Sequence, residues 1–148
     1  MSGGIRAALE ARLTSNSRDS HWWLLADEVY VDEPANRLLF AVLAGEPTIV
    51  PIDPPVPVRG LPNDVTSKVK ASHADWRASA TVVNWVSYRE LVATVEQFKT
   101  WIVRNPEELK SSLVANQIGT SIDAILSYLA VFEANYFETR LIFWMTPI

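Results

Sequence analysis

The sequence contains no cysteine and only two histidines, His21 and His73, among its 148 residues. Disulfide bonds, thiol catalysis and cysteine-based metal sites are therefore excluded, and so is a site that needs several histidines. The longest apolar stretches are interrupted by charges such as Asp123, Glu133 and Arg140. None approaches the roughly 18 apolar residues of a membrane span. The N-terminus lacks the pattern of a signal peptide, so we expect a cytosolic or assembled soluble protein.

Strong charge of either sign is also missing. Charged residues make up 20% of the chain, the net charge is −4, and lysine and arginine are scattered singly. A specific nucleic-acid binder usually carries a basic face, so we expect none here. The hydrophobic fraction of 49% is that of an ordinary globular protein. The length fits a single domain over residues 1–148.

The N-terminal half predicts one helix and a pair of strands. Ile5, Leu9 and Leu13 recur every four residues, which is typical of an amphipathic helix. Residues 22–31 are rich in aromatic and β-favouring side chains and predict a strand. Residues 33–36 read as a turn, after which the apolar run 37–43 is expected to return as the partner strand.

Proline is concentrated in one stretch, at residues 45–63, which holds six of the nine prolines. Proline lacks a backbone N–H and fixes φ, so this stretch is expected to be neither helix nor inner strand. Two interpretations stay open. It is a plain connecting loop, or it is an arm, with Pro54 and Pro55 at its centre, that packs on a neighbouring subunit.

The second half begins with a predicted strand at 76–86 and a predicted helix at about 87–104. Ser87 and Glu90 have the spacing of a capping box, in which each side chain satisfies a backbone N–H at the start of a helix. A short helix at 105–115 is expected next, because Pro106 and two acids follow Asn105.

The C-terminal residues predict a strand at 136–145, where apolar and polar side chains alternate. Residues 122–133 fit either a helix or a buried strand, and we favour a strand that forms a hairpin with 136–145. The expected fold class is α+β: a mixed or antiparallel sheet packed on one long helix, at about 87–104, plus an N-terminal helix and a Pro-rich loop.

The sequence shows no nucleotide-binding or hydrolase motif, and we predict no catalytic, cofactor or metal site. His73 and Asp75 could orient one another as in a general-base site, but no nucleophile or second acid is evident beside them. Four acids, at Asp27, Glu28, Asp32 and Glu33, could offer oxygen ligands to a metal. A solvated strand edge kept charged against unwanted pairing explains them better.

The dipeptide Trp22-Trp23 indicates an interface. Adjacent residues of a strand point to opposite faces, so at most one of these tryptophans enters a core that covers one face of a sheet. The other is half-exposed or lies in a contact with another protein, and we favour the contact.

Several stretches are similar to a known family. A strand-like D-W-R-A-S-A-T-V-V at 75–83, followed by the helix at 87–104, resembles the strand-to-helix unit of tail terminator and related neck proteins of tailed bacteriophages. The stretches 128–133 and 136–141 resemble the closing strands of those proteins, and the N-terminal I-R-A-A-L-E-A-R-L resembles their first helix. Together they cover about half of the chain.

The resemblance implies a structural virion protein with no enzymatic activity and no cofactor. Such a subunit assembles in the host cytoplasm into a homo-oligomeric ring, expected to be a hexamer, in the tail or neck of the virion. The ring caps the tail tube and joins it to the connector, so its partners would be itself and the tube, sheath and connector proteins. The residues we expect at interfaces are Trp22, Trp23, Pro54, Pro55, Tyr136, Arg140 and Trp144.

Two further hypotheses remain open. One is a small α+β enzyme or ligand-binding domain with an apolar pocket, with His73, Asp75 and Trp85 as its candidate residues. The other is a protein that binds a host or defence factor and acts by occlusion.

Overall fold

A four-stranded antiparallel sheet with four helices forms the protein, in a computed structural model that describes residues 4–13, 21–31, 34–76, 82–105 and 120–145. The sheet has the order β2-β1-β4-β3, in which β1 is Ile5–Leu13, β2 is Trp23–Tyr30, β3 is Val82–Ser87 and β4 is Phe137–Met145. The helices are α1 (Pro34–Leu43), α2 (Ser67–Trp76), α3 (Tyr88–Arg104) and α4 (Thr120–Ala134). The predicted α+β class and the antiparallel sheet are confirmed.

One face of the sheet is apolar and carries the main core. Alternate residues of β1 and β4, such as Leu9 and Phe143, pack on the inward faces of α1, α3 and α4. Phe40 of α1 meets Phe143 edge-on, with ring centroids 5.0 Å apart. Because successive strand residues alternate between the two faces, this single core uses only half of each central strand.

The opposite face is covered by α2 and by the segment before it. A smaller apolar cluster forms there around Ala8, Ile142, Trp144 and Val69 of α2. The intervening positions of β1 and β4 on this face carry charge, and in the strand register Glu10 lies opposite Arg140, and Arg12 opposite Glu138. The sheet is therefore the middle layer of three, with an apolar side and a partly charged side.

The N-terminal helix expected at residues 5–13 is wrong, because these residues form β1, a central strand. Ile5, Leu9 and Leu13 fit a four-residue spacing, but apolar residues also occupy every second position from 5 to 13. Pairing with strands on both sides decides between the two patterns. It overrides the good helix propensity of alanine, leucine, glutamate and arginine.

Two expected strands are helices instead. Residues 37–43 belong to α1, as do residues 34–36 of the turn expected at 33–36, and Glu33 lies outside the described residues. Pro34 is the first residue of α1, where a missing N–H does no harm. Residues 122–133 belong to α4, whose buried Ile122, Ile125 and Leu129 share one helical face. The β2 strand within the stretch 22–31 and the β4 strand within 136–145 are confirmed.

The helix expected at 87–104 is present as α3, including its capping box. The Ser87 side chain accepts from the Glu90 backbone N–H at 3.2 Å, and Glu90 accepts from the Ser87 N–H at 2.8 Å. It is, however, one of four described helices, whereas the sheet was expected to pack on this one long helix. Of the strand expected at 76–86, residues 82–86 lie in β3, residue 76 ends helix α2, which was missed, and residues 77–81 lie outside the described part. The helix expected at 105–115 lies outside it too, beyond Asn105.

The Pro-rich stretch connects α1 to α2 without a helix or strand of its own at residues 46–66. It leaves α1 through Gly45, whose φ of 72° lies in the left-handed region that glycine adopts readily. Among the described residues, the helices are too short or too polar to cross a lipid bilayer.

Candidate functional site

Four aromatic rings form a chain of contacts at the end of the sheet where α4 turns into β4, from Trp23 through Phe137 and Phe132 to Tyr128. Together with Tyr136, the residue before Phe137, we call them the aromatic strip. Phe137 lies at the centre, with its ring centroid 6.0 Å from Trp23 and 5.8 Å from Phe132. Phe132 in turn lies 5.3 Å from Tyr128. Three members are well exposed: Trp23 at 44%, Tyr128 at 42% and Tyr136 at 79%. The strip therefore presents three exposed aromatic side chains, and the half-buried rings of Phe132 and Phe137 connect Trp23 to Tyr128.

Tyr136 has an unusual backbone conformation. Its φ of 67° is the only positive value of a non-glycine residue in the described part of the chain. The turn before it is fixed by Asn135, whose backbone N–H donates to the Phe132 carbonyl at 2.9 Å and whose side chain donates to Val131. A left-handed conformation costs an ordinary residue roughly 1–2 kcal/mol. Such strain is concentrated at functional positions, and here it holds an exposed tyrosine at the tip of a turn.

A cavity of about 670 Å³ lies beside the strip, between the first turn of α3 and the α4–β4 turn. Tyr136, Phe137, Glu133, Glu138 and Arg89 contribute to its wall. Burial raises the pKa of Glu133; the positive charge of Arg89 opposes this rise and the negative charge of Glu138 adds to it. The strip is therefore bordered by two carboxylates and one arginine.

A second cavity, of about 590 Å³, runs along the C-terminal half of α3 beside Ile52 of the Pro-rich stretch, and we call it the Trp101 groove. Trp101 stacks on the buried Phe98 with an interplanar angle of 12° and a centroid separation of 6.4 Å. Glu96 and Arg104 lie on its exposed side. The groove thus combines an aromatic wall with one charge of each sign.

The charged side of the sheet contains a buried ion pair. The Arg140 guanidinium donates to Oε1 of Glu10 from Nε at 2.8 Å and from Nη2 at 2.6 Å. The other Glu10 oxygen accepts from the Thr66 backbone N–H at 2.8 Å. Arg140 also donates to Asp64 at 3.0 Å. Glu10 is fully buried and Arg140 is 2% exposed, so Arg140 supplies the positive charge that Glu10 needs, while Arg140 itself is shared between Glu10 and Asp64.

Arginine and tryptophan side chains alternate across this face in the order Arg12, Trp22, Arg140, Trp85, Arg59, which we call the arginine–tryptophan stack. Arg140 lies 3.8 Å from the Trp22 ring centroid and 5.5 Å from that of Trp85. Arg12 covers Trp22 at 4.6 Å, and Arg59 covers Trp85 at 3.6 Å. Cations attract the faces of tryptophan rings, by about 0.5–1 kcal/mol at exposed positions and more when desolvated.

The stack ties the Pro-rich stretch to the sheet. The Arg59 backbone N–H donates to the Asn84 side chain at 2.8 Å, and its guanidinium donates to the Trp85 carbonyl at 2.8 Å and to Glu90 at 2.7 Å. Burial would raise the pKa of Glu90, but hydrogen bonds from Ser87 and Arg59 hold it below its ordinary value. The C-terminal part of the stretch is therefore attached to its own domain, as a structural connection.

Asp64 makes the second attachment. Its carboxylate accepts from Arg140 and, at 3.0 Å, from the Trp22 indole N–H. Burial raises the pKa of Asp64, but these hydrogen bonds and the charge of Arg140 together lower it by more. The net shift is therefore downward. Because each arginine of the stack has a carboxylate partner, we interpret the stack as a means of holding the layers together.

The residues expected at interfaces divide into two groups. Trp22, Arg140 and Trp144 are at most 6% exposed and make their contacts inside the chain. Trp23, Tyr136 and Pro54 are exposed, and Pro55 is partly buried. As expected for adjacent tryptophans, Trp22 is inside and Trp23 outside. Contact with another subunit stays a prediction, carried forward for Trp23 and Tyr136.

The candidates for chemistry lie apart from both cavities. His73 packs edge-on against Trp144, with centroids 6.2 Å apart, and Asp75 is exposed on helix α2. Trp85 belongs to the arginine–tryptophan stack.

Of the four clustered acids, Asp32 and Glu33 lie outside the described residues, and Asp27 approaches Lys68 at 4.0 Å. The described residues contain no group of His, Cys, Asp and Glu side chains arranged to hold a metal.

Sequence reasoning missed most of the aromatic strip and the whole Trp101 groove. Tyr128 and Phe132 are four residues apart, a spacing that places them on one face of a helix. Residues 122–133 were interpreted as a strand, so this helical pair was not recognised. Trp101 carried no signal beyond its size. Helix α4 and the Pro-rich stretch bring these residues to their places only in the folded chain.

A scan against known protein families finds no match, and searches of curated proteins and of solved structures find none either.

Proposed function

We propose that this protein is a structural subunit that associates with further copies of itself through the aromatic strip. The observation that carries the proposal is the group of three exposed aromatic side chains in the strip, with Tyr136 79% exposed in a left-handed backbone conformation. Aromatic residues are enriched in protein interfaces, and tyrosine and tryptophan often supply most of the binding energy. Val131, 60% exposed on the adjoining turn of α4, extends the apolar surface.

In its finer form the proposal is a tail terminator or neck ring subunit of a bacteriophage virion, which contacts the tail tube, sheath and connector. Helix α3 and strand β4, which contains residues 137–141, support this form. Residues 5–13 and 128–133 do not, because the first form a strand and the second a helix. Of the stretch 75–83, Asp75 and Trp76 end α2 and only Val82 and Val83 lie in a described strand. The finer form therefore rests on α3 and β4, whereas self-association rests on the exposed strip.

The test is the mass of the purified protein in solution, measured by light scattering and native mass spectrometry over a range of concentrations. We expect the wild type to form a discrete oligomer, and Tyr136→Ser and Trp23→Ser each to shift it towards monomer while the far-UV circular dichroism spectrum of the fold is retained. Ile49→Ser is the matched control, since Ile49 is an apolar side chain, 58% exposed, outside the strip. A wild type that is monomeric at all concentrations refutes the proposal.

A further inference from the structure

We infer that the association is head-to-tail: the Tyr136 end of the aromatic strip on one copy occupies the Trp101 groove of the next. This inference rests on the proposed self-association and adds the identity of the second surface. A contact between two different surfaces leaves one of each unused at the ends, so it continues from copy to copy and closes only as a ring.

The two surfaces fit each other in shape and in chemistry. Tyr136 projects from a turn and is 79% exposed. The Trp101 groove has a volume of about 590 Å³, which is large enough to admit a protruding aromatic side chain. Its wall is the Trp101 ring, braced from behind by Phe98. Two aromatic rings that meet in this way contribute beyond the area they bury.

The charges around the two surfaces are complementary. Glu133 and Arg89 stand beside Tyr136, and so does Glu138, whose carboxylate already pairs with Arg12 at 3.0 Å. The groove presents Arg104 and Glu96. Glu133 can therefore pair with Arg104, while Arg89 pairs with Glu96.

A single copy cannot satisfy both surfaces by itself. Arg89 lies in the first turn of α3 and Arg104 is its last residue. At a rise of 1.5 Å per residue they are roughly 22 Å apart along a rigid helix. Each copy thus offers one surface at either end of α3, which is the arrangement that a head-to-tail contact requires.

The experiment uses two variants that each disable one surface. Tyr136→Ser removes the inserted side chain, and Ala93→Arg fills the groove from an exposed helical position where arginine is well tolerated. Each variant alone is expected to associate at least about 30-fold more weakly than the wild type, the loss typical of one central interface residue. Thr100→Arg blocks the same groove and replaces Ala93→Arg should the latter unfold by circular dichroism.

Mixing the two variants is the decisive measurement. A Tyr136→Ser copy keeps an intact groove and an Ala93→Arg copy keeps an intact strip, so the mixture should form 1:1 heterodimers and nothing larger. A mixture of Tyr136→Ser with Trp23→Ser, both altered in the strip, should stay monomeric.

The possible failures are distinguishable. A monomeric wild type refutes self-association itself. A wild-type oligomer that Tyr136→Ser dissociates but that both groove variants leave intact overturns the head-to-tail inference, while the proposed function stands. Groove variants that dissociate the oligomer but fail to form heterodimers with Tyr136→Ser overturn the inference as well.

Discussion

The two faces of the sheet bury similar strand positions by different means. On the apolar face, residues such as Leu141 and Phe143 pack against three helices without needing a particular partner. On the charged face, Glu10 and Arg140 are just as buried, but they are tolerated because Glu10 pairs with Arg140 and Arg140 pairs with both Glu10 and Asp64. The apolar face tolerates changes of partner, since burial is non-directional; the charged face does not, since an unpaired buried charge is expensive.

The largest expected effect separates the faces most clearly. Arg140→Met leaves the fully buried Glu10 carboxylate without its cation, and we expect a loss of about 3–5 kcal/mol in the free energy of unfolding. Urea denaturation measures this. The double variant Glu10→Gln with Arg140→Met should recover most of the loss, because glutamine is neutral and still accepts from Thr66. No recovery would mean that the pair is not the source of the effect.

On the apolar face, Leu91→Ala is expected to cost about 3 kcal/mol, from lost burial and the cavity left behind. On this face we expect no second substitution to restore the stability lost in Leu91→Ala. Leu141→Ala in the same cluster should add to the loss in urea denaturation. A double variant as stable as Leu91→Ala alone would show that this face also depends on specific pairs.

Asp64 and Glu133 should respond to pH in opposite directions. The pKa of Asp64 is lowered by folding, so its contribution to stability is present above 3.8 and is lost as the pH falls through the folded-state pKa. The pKa of Glu133 is raised, so its contribution is present below 4.5 and is lost as the pH rises through the folded-state pKa.

At neutral pH we therefore expect Asp64→Asn to destabilise the protein by at most about 1 kcal/mol and Glu133→Gln to stabilise it by about 0.5 kcal/mol or less. Thermal melts as a function of pH check both signs. Each difference should fade in acid, as the carboxyl group of the wild type becomes protonated. A Glu133→Gln variant that is less stable at neutral pH would contradict the upward shift.

The smallest effect is expected at the edge of the charged face. Arg12 and Glu138 pair at 3.0 Å, but their side chains are 31% and 39% exposed. Arg12→Ala should cost about 0.5–1 kcal/mol, including the contact with Trp22. The difference between wild type and variant should shrink in high salt, whereas that for Arg140→Met should persist. A loss near that of Arg140→Met would show that exposure does not distinguish the two pairs.

The elements that sequence predicted correctly are those with signals local to the chain. The capping box at Ser87 marks the start of α3, and the alternation after residue 136 marks β4. The wrong predictions concern residues whose apolar spacing fits both the period of a helix and the period of a strand. In β1, an apolar residue at every second position is also one at every fourth, and α1 and α4 are short apolar runs that suit a buried strand equally well.

The candidate site was predictable only in part. The pair Trp22-Trp23 indicated one buried and one exposed tryptophan, which the structure shows. Tyr136 was expected at an interface as part of a strand, but its exposure comes from the turn that precedes β4. Arg140 and Trp144 were expected at an interface as part of the same strand. They are buried because α2, which was missed, packs near Trp144, and because Trp22, Trp85 and Asp64 enclose Arg140.

The sequence by itself determined the α+β class, the lack of cysteine chemistry, the start of α3 and the strand at β4, because each depends on composition or on neighbours a few residues away. Only the tertiary structure decided that residues 5–13 are a strand, that Glu10 meets Arg140 from 130 positions along the chain, and that Tyr136 and the Trp101 groove lie at opposite ends of one helix. These depend on which distant segment covers each face, and no local pattern records that choice.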